Sequence, residues 1–168
     1  MPVDPAKMML GPCRGGVVRL CEPGNVLMVG EGIETCLAAM QASGLTLIEG
    51  ESRTTVHPRA TADAGELGPQ DYVIVTLKAH SLPAAAPDIA KMMGPHTALV
   101  TAINGVPYWY FHGLDGPHRD RRVQSVDPGG TLWDILPPGQ AIGCVVYPAA
   151  EVTAPGTITH GYGDRFSL

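Results

Sequence analysis

Short, uninterrupted apolar runs recur along the chain and predict buried strands. The apolar residues 72–75 lie inside the segment 71–77, and comparable runs cover residues 97–101 and 142–147. Runs of this length without polar alternation are typical of parallel strands that are buried on both faces of a sheet. We therefore expect three buried strands in these segments.

Helices separate the predicted strands. Residues 26–29 form another apolar run, and after a glycine turn residues 33–42 have the spacing of an amphipathic helix. A second helix is predicted to begin with Ser81 as its cap and Pro83 in its first turn, and to end near Met93. This order predicts an α/β fold with a mostly parallel, Rossmann-like sheet and flanking helices.

Shorter segments predict hairpins and loops. Residues 45–48 and 53–57 flank a polar turn, and residues 157–160 and 165–168 are expected to pair in the same way. The segment 113–138, rich in Pro and Gly, has the character of a loop. Because the chain stops on a strand-like run, we expect a truncated domain.

Composition narrows the class of protein. The 168 residues suit one domain, at roughly 150 residues per domain. The net charge of −5 disfavours general nucleic-acid binding, because a phosphate backbone requires a broad positive field. The four cysteines lack metal-ligand spacing, and no apolar run approaches the roughly 18 residues of a membrane span. We expect a cytoplasmic protein without a metal site.

The segment 30–35, with the sequence GEGIET, joins a predicted strand to a predicted helix. As G-x-G-x-x-T it is similar to a dinucleotide-binding turn, in which glycines let the backbone approach a pyrophosphate. Glu31 and Glu34 oppose this, because a carboxylate about 4–6 Å from a phosphate costs a few kcal/mol at an effective dielectric near 20. The alternative is a plain strand-to-helix turn whose acids favour the helix N-terminus. The sequence leaves both interpretations open.

Residues 10–20 (LGPCRGGVVRL) and 29–35 (VGEGIET) resemble part of a Toprim domain of phage- and plasmid-borne primase/helicase proteins. In that family the glutamate that matches Glu31 acts in metal-dependent phosphoryl chemistry, and two further acidic residues on a later strand hold Mg²⁺. Residues 46–49 offer one glutamate and no such pair, and one carboxylate does not build a Mg²⁺ site. The resemblance therefore implies a chemically silent Toprim-like fragment over residues 1–43. A Toprim-derived module that binds metal or nucleic acid is the alternative.

From about Gly44 onward the chain resembles the N-terminal domain of ketopantoate reductases. The segment 44–48 (GLTLI) looks like the second strand of that domain, and three later segments keep the family's order: 71–80 (DYVIVTLKAH), 101–106 (TAINGV) and 142–147 (IGCVVY). The resemblance implies an NADP-binding domain over residues 44–168. It further implies an enzyme that reduces 2-dehydropantoate, a 2-keto acid, to pantoate with NADPH on the route to coenzyme A.

The resemblance assigns roles to three residues. Lys78 matches a lysine at the end of a central strand that helps to hold NADP. Asn104 matches the asparagine of an Asn-Gly motif that contacts both cofactor and substrate, which suits a carboxamide that donates and accepts at once. Ala149 matches a backbone contact to the cofactor. Taken alone, a lysine after a strand suits solvated surface and Asn-Gly suits a turn; together they favour a cofactor role.

Departures from the family imply weak or lost NADP binding and little catalysis. The family's opening G-x-G-x-x-G turn is missing, and its general-acid lysine belongs to a helical C-terminal domain that is absent after Leu168. Hydride transfer to a keto acid requires a positioned proton donor and a closed, dry cleft. His80, His112 and His118 are acid–base residues by type alone. No catalytic residue is therefore assigned. A non-catalytic remnant of the family is an alternative interpretation. The sequence is also compatible with an oligomer.

Overall fold

The computed structural model describes residues 17–19, 26–30, 44–57, 59–61 and 63–168. Within these ranges the α-helices are α1 (Leu82–Ala90) and α2 (Thr131–Ile135), and single 3₁₀ turns cover Ala64–Glu66, Ala79–Ser81, Pro128–Gly130 and Pro138–Gln140. Its strands are β1 (Val17–Arg19), β2 (Val26–Gly30), β3 (Leu45–Glu49), β4 (Ser52–Val56), β5 (Arg59–Thr61), β6 (Tyr72–Thr76), β7 (Ala98–Thr101), β8 (Ala141–Gly143), β9 (Val145–Val146), β10 (Ala149–Ala154), β11 (Thr157–Tyr162) and β12 (Phe166–Ser167). The predicted helix over residues 33–42 lies outside the described residues.

The main sheet has six strands in the order β5-β1-β2-β6-β7-β8. Strands β2, β6, β7 and β8 run parallel to one another, whereas β1 is antiparallel to both β2 and β5. Together with the flanking helices, this arrangement confirms the predicted α/β, Rossmann-like fold. The runs that predicted β2, β6 and β7 lack polar alternation, as expected of inner strands.

The hydrophobic core lies between this sheet and the two helices. Val73 and Val75 of β6 and Leu99 of β7 are fully buried, and they belong to one apolar cluster with Ile89 of α1 and Leu132 of α2. Side chains alternate across a strand, so Val73 and Val75 share one face of β6. The helices are therefore held against the sheet by apolar packing.

Helix α1 begins where the sequence predicts and ends three residues early. Ser81 occupies the cap position, but its side chain makes no capping hydrogen bond, and Pro83 lies in the first turn. The helix ends at Ala90, and Lys91 and Met92 follow in a turn. Proline is tolerated in a first turn because the amide it lacks has no partner within the helix there.

The second sheet has four strands in the order β10-β11-β3-β4. The predicted hairpin is confirmed, since β3 and β4 pair antiparallel from Leu45↔Val56 to Glu49↔Ser52. Residues 45–49 form strand β3, which pairs with β4 and β11 in this second sheet and not with the parallel strands of the main sheet. Residues of β3 are half-buried or exposed and those of β4 are all exposed, which suits a sheet outside the core.

Two further expectations near the C-terminus are corrected. Residues 157–160 do not pair with residues 165–168: β11 pairs with β10 across the tight turn at Gly156, whose φ is +71°, and β12 pairs with β9. A glycine in this left-handed region closes a short hairpin at low steric cost, so local pairing prevails. The run 142–147 is not one buried strand but divides at Cys144 into β8 and β9. Strand β8 is an edge of the main sheet, and Val145 is 50% exposed.

The segment 113–138 is not a loop throughout, because α2 lies within it. Asp127 is buried, and its carboxylate accepts hydrogen bonds from the backbone N–H groups of Leu132 (2.8 Å) and Trp133 (3.0 Å). These donors would otherwise lack partners at the start of the helix. The helix is missed from sequence because it is short and its carboxylate lies outside the usual capping position.

Candidate functional site

The carboxyl ends of the parallel strands meet at one edge of the main sheet. Gly30, the last residue of β2, lies opposite Thr76 of β6, and Val75 lies opposite Thr101 of β7. Lys78 follows β6 by two residues and Asn104 follows β7 by three. The structure thus brings these two predicted residues to the same edge, which is where open parallel sheets bind ligands. The rest of the GEGIET segment lies outside the described residues.

Lys78 places a positive charge at this edge. The residue is exposed, and its backbone carbonyl accepts a hydrogen bond from the N–H of Ser81 at 2.9 Å, which anchors the turn that follows β6. Within the described ranges its ammonium group makes no hydrogen bond or ion pair. A flexible ammonium with three free donors is suited to an anionic group such as a phosphate.

Asn104 makes two hydrogen bonds to a single residue. Its Nδ2 donates to the Val146 carbonyl oxygen at 2.9 Å, and its Oδ1 accepts from the Val146 N–H at 3.0 Å. A carboxamide has two N–H donors and two lone pairs on its oxygen. One donor and one lone pair therefore remain for a ligand. Gly105 has a φ of +117°, and the chain bends at this residue.

Two pockets flank the segment that follows β7. The larger, which we call the groove, has a volume of about 390 Å³, within the range of small-molecule sites. The smaller has a volume of about 30 Å³, which is about one water molecule. The groove is lined by Thr101, Ile103, Gly105, Pro107, Trp109, Tyr110, Leu114, Cys144 and Val145. Asn104 lines the smaller pocket, beside Ala79 and Leu82 at the start of α1.

Sequence reasoning missed several residues of the groove. Thr101 was recognised only as part of a strand, although its position at the carboxyl end of β7 is a signal of a ligand edge. Trp109 lines both pockets, and its indole nitrogen is buried without a hydrogen-bond partner in the described part of the chain. Cys144 and Val145 were assigned to a continuous strand, which concealed their place in the groove.

Ala149 does not join Lys78 and Asn104 at the edge of the main sheet. It is the first residue of β10 in the second sheet, is exposed, and lies opposite Tyr162. It lines neither pocket. Its predicted cofactor contact through the backbone is not tested by this arrangement.

The histidines that the sequence offers for acid–base chemistry, His80, His112 and His118, line neither pocket. The Nδ1 atom of His112 lies 3.2 Å from Oδ1 of Asp120, and the ring of His118 packs against Phe111 with centroids 5.6 Å apart. The N–H of Gly113 donates to Asp120 at 2.9 Å, and this hydrogen bond is the main reason why the pKa of the Asp120 carboxyl is lowered.

The neighbouring aromatic and basic residues are mainly structural. Tyr108 is a core residue whose hydroxyl donates to the carbonyl of Leu136 at 2.9 Å, and burial raises its pKa above the ordinary value. Tyr110, two residues later, is 51% exposed. The guanidinium of Arg122 donates to both carboxylate oxygens of Asp134.

The described residues contain neither a metal-ligand cluster nor a membrane-spanning helix. Histidine, cysteine and carboxylate side chains in these ranges do not gather in a group of three that could hold a metal ion. Among the helices of the described ranges, none has both the length and the apolar character needed to cross a bilayer.

The sheet and its ligand edge define a Rossmann-like α/β domain. The family described as "Ketopantoate reductase PanE/ApbA" matches residues 17–108, more than half of the chain, and the chain belongs to this family. This match begins inside the segment that resembles a Toprim domain, and the Toprim-like interpretation stays a prediction.

Known proteins similar to this chain agree with the family. A 2-dehydropantoate 2-reductase from Mesorhizobium japonicum is 54% identical over 132 residues, which are 79% of this chain and 40% of that protein. The crystal structure of a candidate ketopantoate reductase from Ralstonia solanacearum MolK2 superposes with a TM-score of 0.73 at 44% identity, over 78% of this chain and 40% of that one. A 2-dehydropantoate 2-reductase from Geobacter metallireducens GS-15, 20% identical with a TM-score of 0.60 over 78% and 37% of the two chains, shares the fold. The chain thus spans about two fifths of the length of these relatives.

Proposed function

We propose that this chain provides the nucleotide-binding part of an NADPH-dependent 2-dehydropantoate 2-reductase of pantothenate and coenzyme A biosynthesis. Such an enzyme reduces a 2-keto acid to a 2-hydroxy acid. The observation that carries the proposal is the convergence of Lys78 and Asn104 on the carboxyl edge of the parallel sheet, beside a groove of ligand size. The 54% identity to a protein named for this reaction supports it.

The described residues fit a nicotinamide dinucleotide phosphate in three respects. The Lys78 ammonium, which has no ion-pair partner among the described residues, would neutralise a phosphate. The second donor and the second lone pair of Asn104 would hold the nicotinamide or the keto acid. The carboxyl end of β2 at Gly30 lies at the same edge, and a residue without a Cβ would permit close approach of a phosphate there. When bound, NADPH supplies the hydride. Ala149 would add a backbone contact, and its position in the second sheet makes it the least supported of the three residues.

We propose further that NADP binding is weak and that the chain alone turns over slowly or not at all. Reduction of a ketone requires a positioned proton donor. His80, His112 and His118 line neither pocket, and this proposal rests on their positions. A non-catalytic remnant domain is the second candidate, and the same observation supports it. Both versions fit a cytoplasmic protein whose partner is a small keto acid, not a nucleic acid, and that is free to form an oligomer.

The division into a Toprim-like fragment over residues 1–43 and a reductase-like domain over residues 44–168 is likewise a proposal. Its support is the similarity of residues 10–20 and 29–35 to Toprim segments. Strands β1 and β2 precede the proposed boundary and β6 to β8 follow it, yet all five belong to one sheet. The boundary would then join two ancestries within a single folded layer.

The decisive experiment is a titration of the purified chain with NADPH, followed by nicotinamide fluorescence, in the wild type and in Lys78→Ala. Loss of a charged hydrogen bond of about 1.5 kcal/mol weakens binding by about tenfold. Lys91→Ala is the matched control, because Lys91 is an exposed lysine that pairs with Asp88 at 2.7 Å on α1, away from the edge. It should bind NADPH as the wild type does.

The outcomes separate the candidates. Saturable binding that weakens only in Lys78→Ala supports the nucleotide-binding function. Equal binding by all three proteins would remove Lys78 from the site. A chain that unfolds cooperatively but binds no NADPH would favour the remnant. Binding of Mg²⁺ or nucleic acid by the same chain would favour the Toprim-derived module.

A further inference from the structure

The backbone of Val146 faces away from its strand partner. Strands β9 and β12 pair antiparallel, with Val146 opposite Phe166, and the next residue, Tyr147, donates its N–H to the carbonyl of Arg165. In an antiparallel pair, successive residues direct their N–H and C=O groups to opposite sides. The N–H and C=O of Val146 therefore point outward, where an edge strand ordinarily leaves them to solvent or to another chain.

The side chain of Asn104 occupies this outward side in the way a peptide group of a third strand would. Its Nδ2 donates to the Val146 carbonyl and its Oδ1 accepts from the Val146 N–H, at 2.9 and 3.0 Å. These two bonds also fix the orientation of the carboxamide, since a flipped amide would set donor against donor and acceptor against acceptor. We call this pair of bonds the Asn104–Val146 clasp.

The clasp connects the two walls of the groove. Ile103 and Gly105, the neighbours of Asn104, line one wall, and Cys144 and Val145, which precede Val146, line the other. The hydrogen bond from the Cys144 N–H to the Thr101 carbonyl, at 3.1 Å, also joins the two walls. The clasp is a further connection, made by the side chain of Asn104.

We propose that Asn104 is a positioning residue, which holds β9 and β12 against the end of β7 and thereby sets the width of the groove. This role goes beyond the proposed contact with cofactor and substrate and does not depend on it. Any ligand contact of Asn104 must use the second N–H and the second lone pair, whose directions the clasp has already determined. Loss of Asn104 would thus change the groove even when no ligand is bound.

Hydrogen exchange of the Val146 amide, followed by NMR in the chain without ligand, tests the clasp directly. Because this amide is bonded to Asn104 Oδ1, Asn104→Ala should speed its exchange by about tenfold or more, while the amides of β6 and β7 keep their wild-type rates. Asn104→Asp is measured beside the wild type at a pH low enough to protonate its carboxyl group, because the acid O–H then replaces the Nδ2 donor towards the Val146 carbonyl. The other oxygen of the carboxyl still accepts from the Val146 N–H, so the amide should stay protected. Rescue by this variant would not be expected if the substitution acted only through general loosening of the loop.

Gln124→Ala is the matched control for removal of a carboxamide. The Oε1 atom of Gln124 accepts from the N–H of Gly129 at 3.1 Å, on an exposed side chain outside the groove. This variant should expose the Gly129 amide and leave Val146 unchanged. If Val146 exchange in Asn104→Ala stays within about twofold of the wild-type rate, the proposal is wrong. If Asn104→Ala does not fold, Asn104→Asp decides, because rapid exchange at Val146 in that variant would overturn the proposal equally.

The width of the groove has its own readout in Trp109. The chain has two tryptophans, so Trp133→Phe isolates the emission of Trp109. In that background Asn104→Ala should raise acrylamide quenching of Trp109 by about twofold, and Asn104→Asp should restore part of the protection. Unchanged quenching would remove the link between the clasp and the groove. Neither measurement uses NADPH, so failure of the clasp and failure of the proposed reductase function give different results.

Discussion

The two sheets of this protein are built in opposite ways. In the main sheet, Val73, Val75 and Leu99 are fully buried under helices α1 and α2. In the second sheet, every residue of β4 and of β10 is exposed, and Val152 of β10 is 58% exposed. One sheet is covered by a layer of helices, and the other relies on its own ladders.

This difference separates apolar burial from strand pairing as sources of stability. A fully buried aliphatic side chain contributes about 1.5–3 kcal/mol, whereas a cross-strand pair contributes about 0.2–1 kcal/mol. The second sheet shows pairs of the latter kind, such as the hydroxyls of Thr46 and Thr55 at 2.9 Å and of Thr153 and Thr159 at 3.0 Å. We expect the second sheet to open first and the main sheet to set the global free energy of unfolding.

The largest effect should come from a cavity in the main sheet. Leu99→Ala removes buried methyl groups from the centre of the core and should lower the free energy of unfolding by about 3 kcal/mol in urea denaturation. Val152→Ala in the second sheet is the control and should change it by less than about 0.5 kcal/mol. Comparable losses in the two variants would contradict the comparison.

The strands of the main sheet are well predicted because a buried strand is a continuous apolar run in the sequence. The apolar runs of β6 and β7 and the start of α1 at Ser81 can be read within a few residues of each element. The run at residues 142–147 is also largely apolar, yet it divides at Cys144. Strand β8 is an edge of the main sheet, whereas β9 pairs with β12. That partner lies about twenty residues away, beyond any local pattern.

The position of the candidate site could be predicted from the sequence, but the hydrogen-bond partners of its residues could not. Lys78 and Asn104 follow strands whose carboxyl ends had to meet at one edge once the sheet was parallel. The bond partner of Asn104 is Val146, 42 residues later, and no periodicity connects the two. The exposed second sheet has a weaker apolar pattern, and the pairing of β3 with β11, more than 100 residues later, cannot be predicted from that pattern.

A backbone substitution sharpens the comparison at the entry to the second sheet. Gly44 has a φ of +82°, and a Cβ there would lie 2.6 Å from the carbonyl oxygen of Val56 and 3.0 Å from the His57 ring. Gly44→Ala should therefore lower stability by about 2 kcal/mol, through backbone strain of about 1–2 kcal/mol and this overlap. Exchange of the β3 and β4 amides, compared with urea denaturation, would show whether the loss stays within the second sheet.

Gly50 provides the matched control for strain without overlap. It lies in the β3–β4 turn with a φ of +58°, and a Cβ there would meet nothing within 4 Å. Gly50→Ala should cost about 1 kcal/mol, the strain of the left-handed conformation alone. Equal losses at the two glycines would mean that the contact with Val56 relaxes freely, and that the second sheet is even less constrained than its ladders indicate.

The smallest effect concerns the charge pair that borders the helical layer of the main sheet. Hydrogen bonds from the Arg122 guanidinium to Asp134, at 2.5 and 3.0 Å, are the main reason why the pKa of this carboxyl lies below its ordinary value of 3.8. A lowered folded-state pKa means that the pair stabilises the protein above the unfolded-state pKa and loses this contribution as pH falls through the folded-state value. Stability should thus be flat from pH 7 to about 5 with respect to this pair and decline below about 4. Arg122→Gln should return the Asp134 pKa towards 3.8 in a carboxyl NMR titration. Glu49→Gln, in the second sheet, should leave the Asp134 pKa unchanged. A shift of the Asp134 pKa in this variant would show that the two sheets are coupled electrostatically.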